Sequence, residues 1–167
     1  MTDETSRRTR KTVVQRLCAP PDSVFPLLCP VREYEWIEPW RCVLLNSDSG
    51  VAEKNCVFTT RAPEEPSDDV WVITRHEPNA AIEFVRVNAQ RVMCLSVLLT
   101  DNGDGTTQAV NEQLLVGLSE AGNQALDALA ERFAFEMRVG EAMLNHYLST
   151  GRRLSLEAAV AAASTRP

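Results

Sequence analysis

Between residues 119 and 151 the large apolar side chains recur three and four apart, at Leu126, Leu129, Phe133, Met137, Leu144 and Leu148. That spacing places them along one face of an α-helix about 30 residues long. Ser119 can cap its first turn, and Gly151, with Arg152 and Arg153 just beyond, closes its last. Asp127, Glu131, Arg132, Glu136, Arg138 and Glu141 are expected beside or opposite the stripe. Gly140 falls inside it, at a cost of about 1 kcal/mol relative to alanine. Close approach of a strand or a ligand would account for a glycine there.

Upstream the pattern is extended rather than helical. Segments over 11–18, 41–46, 52–61, 70–77, 81–88, 92–100 and 107–118 are divided by turn-forming residues, among them Ser47-Asp48-Ser49-Gly50, Pro78-Asn79 and Asp101-Asn102-Gly103-Asp104-Gly105. Such short connections build an antiparallel meander of seven strands. After the first strand, Pro20-Pro21 leads to a short helix through Val24, Phe25, Leu27 and Leu28 that Asp22 or Ser23 can cap, and a second piece spans 31–36 until Pro39. Residues 63–69 form an acidic, proline-containing loop. The reading is therefore an α+β chain: a flexible arm over 1–10, one domain over 11–153, and an alanine-rich tail over 154–167, either a weak amphipathic helix or disordered.

Composition narrows the function. With 167 residues, 44% of them hydrophobic, the chain can bury a core without disulfides or a structural metal. A net charge of −6 argues against a surface for phosphate backbones, so nucleic acid is not an expected partner. No apolar run reaches the roughly 18–20 residues that cross a bilayer, and the amino terminus lacks the apolar core of a secretory signal. A cytoplasmic location and no membrane span are expected. Five cysteines without CxxC spacing read as reduced thiols.

Some stretches carry a likeness beyond pattern. Cys18-Ala19-Pro20-Pro21-Asp22-Ser23-Val24-Phe25, the hairpin run from Thr74 through Pro78-Asn79 to Phe84, and the turn from Asp101 to Thr107 resemble the START-like or SRPBCC superfamily. Cys29-Pro30-Val31-Arg32-Glu33-Tyr34-Glu35-Trp36-Ile37 and Ser49-Gly50-Val51-Ala52-Glu53-Lys54 are similar to an uncharacterised bacterial branch of it. The resemblance implies a helix-grip fold, a seven-stranded antiparallel sheet wrapped on a long carboxy-terminal helix with two short helices after strand 1. It also implies a space between sheet and helix that holds hydrophobic or amphipathic molecules. Some members catalyse cyclisation or dehydration, and one branch activates a heat-shock ATPase.

Several residues are candidates for that space. Tyr34, Trp36 and Trp40 are amphipathic rings suited to lining a pocket entrance, or equally to sealing the short helices on the sheet. Phe84, Phe133 and Met137 are apolar candidates. Arg86 and Glu112 are polar candidates if the inner face of their strands looks into the cavity, and Arg86 could hold a carboxylate. Glu33 and Glu35 lie about 200° apart on a helix and cannot pair with each other. His76 and His146 read as solvated or structural. A metal site is not expected, a catalytic Cys29 lacks a nearby base, and no cofactor is implied.

The leading expectation is a binding protein for a small apolar or amphipathic molecule, with a cavity of several hundred Å³. A cyclase- or dehydratase-type enzyme using Glu33, Arg86 or Glu112, and a protein-interaction module or homodimer using the exposed sheet face and the tail Leu156 to Ala163, are the competing readings.

Overall fold

The computed structural model describes residues 6–61 and 68–165. Its seven strands are β1 (Arg8–Leu17), β2 (Cys42–Asn46), β3 (Val57–Thr60), β4 (Asp69–Glu77), β5 (Ala81–Val87), β6 (Arg91–Asp101) and β7 (Thr107–Gly117). They pair antiparallel in one sheet, ordered β1-β7-β6-β5-β4-β3-β2. The last strand returns to the first, from Arg8↔Val116 to Leu17↔Thr107, so β1 and β2 are the two edges. The expected arm residues 1–5, the loop residues 63–67 and the last two tail residues lie outside the described residues.

Two boundaries differ from the periodicity, for local reasons. β1 begins at Arg8 rather than residue 11, because Arg8 and Arg10 meet Val116 and Leu114 on β7 with their side chains on the exposed face, Arg10 paired there with Glu112. β3 begins only at Val57, because Glu53 turns the preceding segment into a loop. Its Oε1 accepts from the Ser47 hydroxyl at 2.8 Å and the Ser49 N–H at 3.1 Å, which holds that carboxyl down at about 2.

Alternation assigns the faces. On β7, Thr107, Ala109, Asn111, Gln113, Leu115 and Gly117 are buried, and the residues between them are at least partly exposed. The buried set shares the concave face with Ile73, Ile82, Phe84, Met93, Val97 and Leu99 through the ladder register. Helix α1 (Pro21–Val24) runs into a 3₁₀ turn (Phe25–Leu28), and a second 3₁₀ turn covers Glu33–Glu35. Pro20 is the cap of α1, and neither Asp22 nor Ser23 caps it.

The long helix α2 (Glu120–Thr150) lies on the concave face. The Ser119 hydroxyl accepts the Gly122 N–H at 3.0 Å, and Gly151, at φ +67°, donates to the Tyr147 carbonyl at 2.7 Å. Its buried side is broader than the expected stripe: Ala130, Ala134, Val139 and Met143 join Leu126, Phe133 and Leu144, and Met137 is half-buried. Glu141 is buried too, because it faces β1 and accepts the Arg16 N–H at 3.3 Å. The expected tail contains a third helix, α3 (Leu156–Ser164), whose Ala159 and Ala163 are sealed in the main core.

The two glycines within α2 differ. A Cβ on Gly122 would stand 2.0 Å from the Gln90 carbonyl oxygen, so the helix can start against the β5–β6 turn only with glycine there. A Cβ on Gly140 would meet nothing nearer than the Gln15 amide at 4.0 Å. The close approach expected at Gly140 is therefore absent.

Candidate ligand-binding site

The core is uneven along α2. Beneath its carboxy-terminal half, Val139, Met143 and Leu144 join Leu17, Val24, Phe58, Ile73 and Ile82 in one continuous cluster. Beneath its amino-terminal half the fully buried cluster shrinks to Met93, Leu115 and Leu126. Trp71, Leu95 and Leu129 pack against that smaller cluster yet remain partly exposed. Trp71 and Leu95 stand on the helix-facing side of interior strands, where a sealed sheet–helix interface would bury them. The sheet–helix interface is less completely covered there.

The ladder register builds its floor. Trp71, Arg86, Met93 and Leu115 are successive neighbours across β4 to β7, and Ile73, Phe84, Leu95 and Gln113 form the next row. Trp71 stacks on Phe58 with ring centres 5.6 Å apart, and Phe84 meets both rings edge-on at 6.0 and 6.5 Å. The Trp71 indole N–H donates to the Thr60 hydroxyl at 2.8 Å, fixing the ring. The Arg86 guanidinium lies 5.0 Å above the Trp71 ring and pairs with the buried Asp69, which also accepts from Asn88 at 2.7 Å.

Two polar atoms in this floor lack partners. Arg86 Nε is enclosed and makes no hydrogen bond, and neither does the side-chain carbonyl of Gln113, whose amide nitrogen donates to the Met93 sulfur at 3.1 Å. Leaving such a group unsatisfied costs about 1–3 kcal/mol. From α2, the half-buried Leu129 packs against the smaller cluster, and Phe133, 4% exposed, follows one turn further along the helix.

The candidates named from sequence fall in several places. Phe84, Arg86 and Phe133 face this interior. The three rings read as a pocket entrance are instead committed to backbone: Trp36 donates to the Leu27 carbonyl at 2.9 Å and Trp40 to the Pro30 carbonyl at 2.8 Å. The Tyr34 hydroxyl bridges the N–H and C=O of Cys42. Tyr34 ties the second 3₁₀ turn to β2, while Trp36 and Trp40 tie that segment back to the residues that follow α1. Met137 is half-buried, with its carbonyl accepting from Gln15 at 2.6 Å.

Glu112 falls on the convex face, paired with Arg10 across the strand, because even positions of β7 point away from α2. Glu33 sits apart from both Arg86 and Glu112, within electrostatic reach of the Cys42 thiol, and desolvation pushes its carboxyl up to about 8. The convergence of Glu33, Arg86 and Glu112 that a cyclase-type site requires does not occur. Two residues further, Glu35 behaves oppositely. Arg32 donates to it at 2.8 and 3.0 Å and the Tyr147 hydroxyl at 2.6 Å, holding it down at about 2 and tying the second 3₁₀ turn to the end of α2. His76 meets Phe25 edge-on at 5.1 Å rather than standing free.

Trp71, Leu95, Gln113 and Asp69 were not among the sequence candidates. The signal available was the alternation Asp69, Trp71, Ile73 in β4, which places an aromatic ring and a carboxylate on one face. A separate concavity of about 730 Å³ lies between the β1 edge and α2, lined by Lys11, Thr12, Gln15, Arg16, Arg138 and Glu141 among others; none of the eight predicted lining residues borders it. Among the described residues no group of His, Cys, Asp and Glu is arranged to hold a metal, and no helix is long and apolar enough to cross a membrane.

No protein-family model and no curated protein matches the sequence. Solved structures do match in fold. An uncharacterised protein from Rhizobium leguminosarum aligns with a TM-score of 0.62 at 14% identity, over 89% of this chain and 99% of its own. Norcoclaurine synthase from Thalictrum flavum, in complex with dopamine and hydroxybenzaldehyde, aligns at 0.62 with 8% identity, over 87% and 90%. CalU16 from Micromonospora echinospora aligns at 0.56 with 14% identity, over 96% and 95%. The chain has the helix-grip fold. At these identities the likeness extends to the fold and not to activity.

Proposed function

We propose that this chain is a START-like binding protein that holds a small amphipathic molecule in the cleft between the concave sheet face and the amino-terminal half of α2. The observation that carries this reading is the incomplete closure at Trp71, Leu95 and Leu129, combined with the unpartnered Gln113 carbonyl and Arg86 Nε beside them. A ligand with an aromatic or aliphatic body would cover the apolar floor, and one donor and one acceptor on it would satisfy those two atoms. The norcoclaurine synthase complex supports the reading by analogy, since a related fold there accommodates two small aromatic molecules.

Titration with 8-anilinonaphthalene-1-sulfonate, an aromatic anion with an apolar body, tests the site. Saturable binding is expected to change Trp71 emission, and Trp71→Phe is expected to remove most of that change while Trp36 and Trp40 still report. Gln113→Leu is expected to weaken binding without lowering the melting temperature. Native mass spectrometry of the freshly purified chain would then identify any molecule carried with it. No saturable binding, or binding that ignores both substitutions, refutes the cleft as the site.

A further inference from the structure

The edge of the sheet at β1 is closed at its carboxy-terminal end and open before it. At the carboxy-terminal end, Glu141 accepts the Arg16 N–H at 3.3 Å, and Asn145 accepts the Cys18 N–H at 2.8 Å while donating to the Arg16 carbonyl at 2.9 Å. At the other end, Asn123 accepts the Arg7 N–H at 2.9 Å. Side chains of α2 thus take the place of a neighbouring strand at the carboxy-terminal end, whereas Arg7 is turned toward β7, its carbonyl accepting the Gly117 N–H at 3.0 Å. In antiparallel pairing with β7, residues whose N–H and C=O point outward alternate with those that bond inward, so Arg10, Thr12 and Val14 share the outward phase of Arg16. No side chain of α2 reaches their backbone groups.

Beside that open stretch lies the groove of about 730 Å³ between β1 and α2. On its helix wall Ala134 leaves room, and the enclosed Arg138 Nε has no hydrogen-bond partner. Strand and groove carry Arg8, Arg10, Lys11, Arg16 and Arg138 against Glu112, Glu131 and Glu141; Arg10 pairs with Glu112 and Lys11 with Glu131, which leaves Arg8, Arg16 and Arg138 as the excess of cations in a chain of net charge −6. An unpaired strand edge next to a groove is the geometry of strand addition, in which main-chain bonds give affinity and alternate side chains give specificity.

We propose that the open edge of β1 receives an extended acidic peptide of about five residues as an eighth strand. Its backbone pairs with the N–H and C=O groups of Arg10, Thr12 and Val14. Its carboxylates on one face meet Arg8 and Arg16, and those on the other enter the groove toward Arg138. The sign of the charge selects this partner over a second copy of the chain, whose own β1 edge would bring the same arginines into opposition.

The test is fluorescence anisotropy with a labelled, end-blocked peptide of two Glu-Glu-Val repeats, which places carboxylates on both faces of a strand, and a control with lysine in place of each glutamate. The acidic peptide is expected to bind saturably, more weakly as salt rises, and at least about tenfold tighter than the control. Thr12→Pro removes an outward N–H that β7 does not use and is expected to abolish binding. N-methylation of the peptide tests the same bonds without altering the protein: methylating one alternate set of nitrogens is expected to abolish binding and the other set to leave it intact. Arg138→Gln is expected to weaken it. The proposal is overturned by equal binding of both peptides, by indifference to both N-methylated sets, or by a concentration-dependent dimer that Thr12→Pro disperses.

Discussion

The two halves of α2 rest on different foundations. From Val139 onward the helix is bedded on a continuous core of Leu17, Val24, Phe58, Ile73 and Ile82, with α3 pressing Ala159 and Ala163 in from behind. From Leu126 to Phe133 it spans a thin cluster and a floor that mixes Trp71 and Leu95 with Arg86 and Gln113. The dense half fixes the helix against the sheet, and the close contact of Gly122 with the Gln90 carbonyl fixes its start, so the less buried stretch between is held at both ends.

Substitutions that empty each half should separate them most clearly. Leu144, 3% exposed in the dense half, is expected to cost about 3 kcal/mol when changed to alanine, because the sealed surroundings cannot collapse into the space. Leu129, partly exposed in the sparse half, is expected to cost about 1 kcal/mol or less in the Leu129→Ala variant, since water can enter. Urea unfolding of both measures this. Equal losses would mean that the sparse half is packed as tightly as the other and that the cleft is not open.

The difference between the halves was only partly legible in the sequence. The 3.6-residue stripe located α2 and its caps, and the turn residues located seven strands, because local sterics and burial act on neighbouring positions. Tyr34, Trp36 and Trp40 drew attention by being close in the chain, but the N–H or O–H of each found a backbone partner within about ten residues. The site groups come from four strands: Asp69 and Trp71 on β4, Arg86 on β5, Leu95 on β6 and Gln113 on β7. Their proximity is a product of register, which no single segment displays. Glu112 was missed in the other direction, since the alternation in β7 gives two faces without saying which one α2 covers.

A second pair of residues sharpens the contrast within the anchored segment itself. Glu33 is desolvated without a charged partner, whereas Glu35 is held by Arg32 and Tyr147. With its folded value raised to about 8 from the ordinary 4.5, Glu33 stays protonated in the fold while the unfolded chain ionises. It therefore removes stability as pH rises from about 4.5 through about 8. Glu35, lowered to about 2, contributes stability above about 4.5 that is lost as pH falls toward 2. Glu33→Gln is expected to raise stability at pH 8 by on the order of 2 kcal/mol and to change nothing at pH 4. Glu35→Gln is expected to lower it at pH 7 by a smaller amount, since Glu35 is 36% exposed and partly screened. Denaturant titrations across pH read both signs, and a Glu33 variant whose effect does not grow with pH contradicts the assignment.

The smallest expected effect concerns the glycine at the junction of the two halves. Gly140 has helical backbone, and a methyl group there would meet only the Gln15 amide at 4.0 Å, ordinary contact. Nothing in the fold offsets its conformational freedom in the unfolded chain, so Gly140→Ala is expected to stabilise the protein by about 0.5–1 kcal/mol. The informative measurement is that gain set beside ligand affinity. If the sparse half of α2 must shift to admit a molecule, stiffening the helix at Gly140 should slow association with 8-anilinonaphthalene-1-sulfonate while leaving the dense half unchanged. If the cleft is preformed, stability should rise with no change in rate. Stopped-flow binding distinguishes the two, and a loss of stability instead would show that the helix approaches β1 more closely there than 4.0 Å allows.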